Sequence, residues 1–420
     1  MTEHSVFFSR KKVWKLIFHF ILIVVLVLPN FPMFLGSEVY INFGILYIFV
    51  LLLIFRRSSL SREEVAIMIF YSLLQLLLVL SWVNEVSLGS ASISDIPSLL
   101  RPVFLFILVL GFVLLYSLVN VHPVVILDCF VKASFSILVF YYVLETFGMV
   151  EFIKHHLWVR PRLSQHNYFT SFFVTTYFAA YFYTICFGYS VVRLLYRPSF
   201  SWFAISIGFL YFVVIAESKS FYVFSFIFAF LCIYIAFNKV FKIFALTIAF
   251  SLAVVAAYSF HHILELIVST DLRSFRSIYT LLSNPEESIT LQTRYSQIVI
   301  AVSGSFERGG LGVGLGRSIS LESYIASFVY RYGLIGFSMY TLYFLSISCW
   351  AYRSYSASKN YDDKTIFLFV SIWFALLPLG LMSSPMYEMG KNSIFSAFIV
   401  SSFIWAKKYY VEKPRCLSNA

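Results

Sequence analysis

The sequence predicts an all-α polytopic membrane protein of about twelve transmembrane helices, with a large, partly helical loop between the ninth and tenth. Three observations lead there. Of 420 residues, 60% are hydrophobic and only 12% charged, whereas soluble domains carry about 25% charged residues. The apolar runs reach the roughly 20 residues that a helix needs to cross a hydrocarbon core, without the alternation of barrel strands. Against this background one polar interval stands out, 259–322, with five arginines: Arg273, Arg276, Arg294, Arg308 and Arg317.

Taken in order, the expected spans are 13–35, 39–55, 65–83, 102–119, 124–147, 168–192, 200–216, 220–237, 241–258, 323–350, 365–383 and 392–406. The first follows Arg10-Lys11-Lys12 and so imitates a signal peptide. Pro29-Asn30-Phe31-Pro32 follows it instead of a small-residue cleavage site, so it is read as a retained helix. Alternate connections are basic: Arg56/Arg57/Arg62, Arg193/Arg197, Lys239/Lys242, Arg353/Lys359/Lys364, and the tail 407–420 with Lys407, Lys408, Lys413 and Arg415. Positive residues mark the cytoplasmic side, so both termini are expected there. The other set of connections, 36–40, 84–101, 148–167, 217–219, 259–322 and 384–391, then faces outward. With no internal repeat and no low-complexity linker, the chain reads as one membrane domain, 1–420. Within the outer loop, Ile298, Val299, Val302 and Phe306 have helical spacing.

The net charge of +11 would suggest nucleic acid in a soluble protein. Here it sits largely in short loops, where it sets topology, and no nucleic-acid partner is expected. The five cysteines, Cys129, Cys186, Cys232, Cys349 and Cys416, are spaced for neither a disulfide framework nor a metal site. Asp362-Asp363 lies in a basic cytoplasmic connection, and no Walker loop, zinc spacing or Ser-His-Asp pattern occurs. Neither metal nor cofactor is therefore expected.

Positive charge on the outer side opposes the topological bias. Arg160-Pro161-Arg162 precedes the sixth span, where the pair could hold phosphate oxygens bidentately or anchor to lipid headgroups. Lys219, in Glu217-Ser218-Lys219-Ser220, either snorkels or serves a site. Arg294 opens an amphipathic segment as a phosphate ligand or as part of a solvated face. Gly312-Val313-Gly314-Leu315-Gly316 can offer backbone N–H groups to a substrate or serve as a flexible re-entry. Glu322, entering the tenth span, is a helix cap or a general base. Arg331 lies too deep to be unpaired unless it lines a cavity.

Arg160-Pro-Arg162 before a span, Arg294 in a large outer loop, Gly312-Val-Gly-Leu-Gly316, Glu322-Ser323-Tyr324-Ile and Tyr332-Gly333-Leu-Ile-Gly336 together resemble the O-antigen polymerase and O-antigen ligase superfamily of bacterial inner membranes. The resemblance covers about 158–340 and the span layout. It implies a metal-independent glycosyltransferase working at the periplasmic face on undecaprenyl-pyrophosphate-linked oligosaccharide, among membrane lipids and with a chain-length regulator protein as partner. Ligases of the superfamily carry His-Asn where Glu322-Ser323 stands, which favours the polymerase branch. Many relatives carry Ser-Arg-Gly where this chain has Ser218-Lys219-Ser220. Carried onto this chain, the resemblance makes Glu322 and Arg294 catalytic, and Arg160, Arg162, Lys219 and Arg294 pyrophosphate ligands. Gly312, Gly314 and Gly316 would lie against the substrate. The alternatives are a ligase that moves glycan onto lipid A core, and a flippase.

Overall fold

The computed structural model describes residues 3–27, 39–54, 60–87, 96–150, 169–173, 175–236, 289–315, 321, 323–383, 386–388 and 390–417. Regular structure among them is helical. In chain order the helices are α1 (Glu3–Val27), α2 (Val39–Ile54), α3 (Arg62–Ser87), the short α4 (Ile96–Leu99), α5 (Arg101–Val119), α6 (Pro123–Thr146), α7 (Thr176–Tyr196), α8 (Phe200–Ile215), α9 (Lys219–Ala236), α10 (Ile289–Glu307), α11 (Tyr324–Ala357), α12 (Tyr361–Gly380) and α13 (Gly390–Leu417). Single 3-10 turns, Leu381–Ser383 and Met386–Glu388, join α12 to α13. Seven helices, α3, α5, α6, α7, α9, α11 and α12, are long and apolar enough to cross a membrane. The chain is thus a multi-pass helical membrane protein. The expected span 241–258 and the stretch 259–288 of the polar interval lie outside the described residues.

Local sequence explains the helix boundaries. Thr175, Ser199, Ser323 and Asn360 each accept a hydrogen bond from a backbone N–H of the first turn that follows, at 3.1–3.3 Å. Short oxygen-bearing side chains do this well, because the first N–H groups of a helix lack internal partners. Asn120 ends α5 in the left-handed region, at φ 50°, and Pro123 opens α6 where its missing N–H costs nothing.

The core is apolar, as in a soluble bundle, but the outer surface is apolar as well. On α3 the exposed apolar residues Ile69, Leu73, Leu76, Leu80 and Val83 form a stripe at helical spacing, the face expected to meet lipid tails. Small polar residues lie inside. On α13, Ser396, Ser401 and Ser402 are buried; Tyr181 and Tyr116 hydrogen-bond Ser396 and Ser402 at 2.7 and 2.8 Å, and Ser401 donates to the Val109 carbonyl at 2.9 Å. Small residues let helices approach closely where the hydrophobic effect cannot drive them together.

The helices at the first, second, seventh and twelfth expected spans, α1, α2, α8 and α13, are not among the seven, and two other expected spans differ in form. The sixth begins at Thr176 rather than 168, because 169–173 forms a turn. There Phe169 N–H donates to the Ile215 carbonyl at 3.2 Å, and Ser171 takes φ 46°. The tenth is not one rod. α11 is broken at Gly333 (φ 74°, ψ 178°), and its arms, 324–332 and 334–357, fold back on each other. A straight helix would separate Tyr324 and Phe344 by about 30 Å, yet their ring centroids are 6.3 Å apart. The Tyr324 hydroxyl also reaches Thr341 Oγ1 at 3.3 Å. The long arm alone, at about 1.5 Å per residue, covers about 36 Å, enough to cross.

Candidate functional site at a broken helix

A hairpin bend in a helix leaves backbone groups without their usual partners, and at membrane depth each would be costly. The segment 305–315 supplies them. α10 ends on two left-handed glycines, Gly309 (φ 63°) and Gly310 (φ 87°), and 311–315, without regular structure, then crosses the bend. Val313 and Gly314 donate their N–H groups to the Tyr330 carbonyl at 2.7 and 3.1 Å. In the other direction, Ile335 N–H donates to the Gly310 carbonyl at 3.3 Å, and Leu334 N–H to Ser305 Oγ at 3.1 Å. α3 holds the outer edge of this segment: Asn84 donates to the Gly312 carbonyl at 3.2 Å, and Glu85 accepts the Leu315 N–H at 2.8 Å. The glycine run therefore has a local cause. A Cβ on Gly312 would overlap Ser81 and the Arg331 carbonyl, and one on Gly333 would meet the Gly310 carbonyl.

Arg294 lies on α10, which packs Ala301, Ile298 and Val302 against the short arm of α11 while Leu291, Tyr295, Val299 and Phe306 stay exposed. An amphipathic helix with such an exposed apolar row suits a membrane interface. Arg294 borders a cavity of about 560 Å3 walled by Leu291, Tyr295, Ile298, Ile325 and Met382, with Ser323 at its edge. Its Nε is buried and has no hydrogen-bond partner among the described residues.

The same end of the bundle holds a second charged group. Glu388 is buried in the turn before α13. Tyr332, from the short arm of α11, donates its hydroxyl to Oε1 and Oε2 at 2.8 and 2.9 Å, and Tyr340, from the long arm, donates to Oε1. Burial pushes the Glu388 carboxyl above the usual carboxylate range, against the opposing pull of Arg101, Arg331 and Tyr332. Arg331 donates its Nε to the Leu315 carbonyl at 3.3 Å, while its Nη1 and that of Arg101 are buried without a hydrogen-bond partner among the described residues.

The expected site residues divide accordingly. Arg294, Gly312 and Gly314 come to this end, the glycines as part of the segment that closes the bend, where the Val313, Gly314 and Leu315 N–H groups are already engaged. Lys219 opens α9, half-buried, beside Glu217 at φ 55°. The next residue, Ser220, donates to the Gly380 carbonyl at 3.3 Å, two positions before Met382 of the cavity wall. Arg160, Arg162, Gly316 and Glu322 lie outside the described residues; Ser323, next to Glu322, borders the Arg294 cavity. Sequence reasoning singled out Arg331 but missed Glu388 and Arg101. The available signal was a lone acid in Met386-Tyr387-Glu388-Met389-Gly390 between two apolar spans, and an arginine directly before Pro102.

Fold and site together define a multi-pass helical membrane protein with a helical hairpin and, at one end, three guanidinium groups that each leave one buried nitrogen without a hydrogen-bond partner among the described residues. No protein-family model matches the chain, and no curated protein matches it either.

Proposed function

We propose that the chain polymerises a bacterial surface polysaccharide, O-antigen or a similar glycan, as a member of the polymerase branch it resembles. In this reading twelve spans cross the inner membrane, both termini are cytoplasmic, and the 259–322 loop and the Arg294 cavity face the periplasm. The observation that carries it is Arg294: a guanidinium with an unpartnered buried Nε, beside an apolar cavity under an interfacial helix. An isoprenoid diphosphate needs both features, cationic donors for its head and an apolar wall for its chain.

The donor is the growing glycan on undecaprenyl pyrophosphate, and the acceptor is a sugar hydroxyl of the next lipid-linked unit. The hydroxyl oxygen bonds to the donor's anomeric carbon as the bond from that carbon to the pyrophosphate oxygen breaks. The hydroxyl proton passes to Glu322, and undecaprenyl pyrophosphate leaves with the electron pair. Arg294, with Arg160, Arg162 and Lys219, stabilises the charge that builds on the leaving group, where low hydration makes such help large. The glycosyl–phosphate bond supplies the driving force, so the scheme needs no nucleotide, metal or cofactor.

Deleting the gene tests the reading. Loss of a polymerase leaves single repeat units on the lipid A core. Bare core would point to the ligase instead and overturn it. A second reading, a flippase, draws on Arg331 and Glu388 at a helix break, since transporters place charges at broken helices. Purified protein that lengthens a lipid-linked oligosaccharide would exclude transport alone.

A further inference from the structure

The reaction above makes no use of the group at the α11 bend, whose composition differs from that of a buried structural ion pair. Both Glu388 oxygens are bonded by tyrosine hydroxyls, one from each arm of the hairpin. Arg331 and Arg101 act on that carboxylate only at longer range, and neither forms an ion pair among the described residues. Arg331 is 9% exposed, its Nε is held by the Leu315 carbonyl, and its Nη1 is left over. Arg101 arrives from the start of α5, and its buried Nη1 is likewise unsatisfied. Two cations thus act on one carboxylate, and neither guanidinium hydrogen-bonds it. A positive excess remains, with buried N–H donors unmatched, and leaving such donors unmade costs free energy unless something else accepts from them. The acceptor that removes both the excess charge and the open donors is an oxyanion with more than one oxygen, to which guanidinium groups bind in a fixed fork.

We propose that Arg331 and Arg101 form a second oxyanion subsite at the bend of α11, taking a phosphate or carboxylate group, and that Glu388 is its positioning residue. Glu388 acts through Tyr332: by tying the two arms together it fixes the residue before Tyr332, which is Arg331. Tyr340 completes the tie. Only the source of the oxyanion rests on the polymerase reading. That source is either the diphosphate of the lipid-linked substrate or an acidic sugar of its glycan, with a phospholipid headgroup as the competitor.

The test uses the full chain in phosphatidylcholine nanodiscs, in an Arg294→Ala background so that binding at Arg294 is not read. Inorganic pyrophosphate and glucuronate are titrated by calorimetry, and unfolding temperature is followed with and without each. At least one probe is expected to bind, and Arg331→Gln and Arg101→Gln are each expected to weaken it about tenfold or more, the loss for one charged hydrogen bond. Arg331→Lys restores part of the affinity, since it keeps charge without the fork. Tyr332→Phe, which cuts the tie to Glu388 and leaves every charge in place, weakens binding while both arginines remain. Without probe, Arg101→Gln unfolds no earlier than its parent, because it removes an unsatisfied group. Pyrophosphate binding assigns the diphosphate, and glucuronate binding assigns an acidic sugar.

If both arginine variants bind as the parent does, if neither probe binds, or if Arg101→Gln lowers the unfolding temperature and leaves binding intact, the subsite is refuted. Phosphatidylglycerol that alone raises the unfolding temperature and blocks both probes would overturn the substrate assignment in favour of a headgroup. The two readings can fail separately. Polymer made by Arg294→Ala cells would sink the polymerase role of Arg294 without touching this subsite, and unchanged probe binding in the double variants would sink the subsite alone.

Discussion

The two ends of the helical bundle treat buried charge in opposite ways. At the end where α7 stops and α12 begins, Arg193 is buried and every guanidinium nitrogen is engaged: Nε and Nη2 with Asp128 at 3.2 and 2.8 Å, and Nη1 with Asp362 at 2.8 Å. Around it, Arg197 joins Asp362 at 3.1 Å, His122 joins Asp363 at 2.8 Å, and Lys407 joins Glu63 at 2.8 Å. At the other end Arg331 is equally enclosed, yet part of its guanidinium has no partner among the described residues, nor do parts of Arg101 and Arg294. One end closes its electrostatics internally and so fastens helices together. The other leaves donors open, at a cost in stability that a binding site accepts and a structural clasp does not.

Substitutions at five positions test this contrast. Arg193→Ala leaves Asp128 with only Tyr189 and Asp362 with only Arg197 among the described residues. Because both acids are about a quarter exposed, the cost should fall below the roughly 3–5 kcal/mol of a fully buried ion, at about 1–3 kcal/mol. Reversible unfolding in mixed micelles would show it, and a loss under about 1 kcal/mol would mean that the clasp is incidental. Gly333→Ala comes next, at about 1–3 kcal/mol from the left-handed backbone alone. The added carbon also presses on the segment that closes the bend, so accessibility labelling of residues 311–315 should rise. The Lys407 and Glu63 pair is part-exposed, with side chains at 27% and 21%, so Lys407→Gln should cost only about 0.2–1 kcal/mol. Smallest in stability and largest in activity are Arg294→Ala and Glu322→Ala, expected to leave protein abundance normal while the polymer ladder disappears. Glu322→Gln separates proton removal from capping, since either side chain can accept a hydrogen bond. A wild-type ladder from an alanine variant would refute that residue's role.

A pH profile sharpens the comparison further. The Glu388 carboxyl faces Arg101, Arg331, Tyr332 and Tyr340, and burial raises it above its ordinary value. A carboxyl raised on folding binds its proton more tightly in the native state, so its contribution is complete below the unfolded value. It is then lost as pH rises through the folded one. Unfolding temperature should therefore fall over that interval in the wild type, and the fall should flatten in Glu388→Gln.

The helices were legible because apolar length is a strong signal, and most described helix ends lie within a few residues of those expected. Where the reading failed, the cause was local. Tyr332-Gly333-Leu334-Ile335-Gly336 is as apolar as the helix around it, so nothing in hydropathy marks a reversal. It takes the positive φ of Gly333, and the partners waiting in 305–315, to make one. Phe169 and Phe173 look like the start of a span for the same reason, although Thr175 carries the capping signal. At the site, Arg294 and Arg331 stood out as charges in unfavourable places. Glu388 did not, because its significance comes from Tyr332 and Tyr340, 56 and 48 positions away.

The doubled-back arm of α11 also bears on sidedness. A helix that returns adds apolar length without adding a crossing, so Tyr324–Ala357 contributes odd parity only through its longer arm. If the longer arm of α11 and α12 each cross once, as proposed, thiol labels at Gly309 and Lys359 report opposite faces of the membrane, whereas labels at Gly309 and Met382, which is 48% exposed, report the same one.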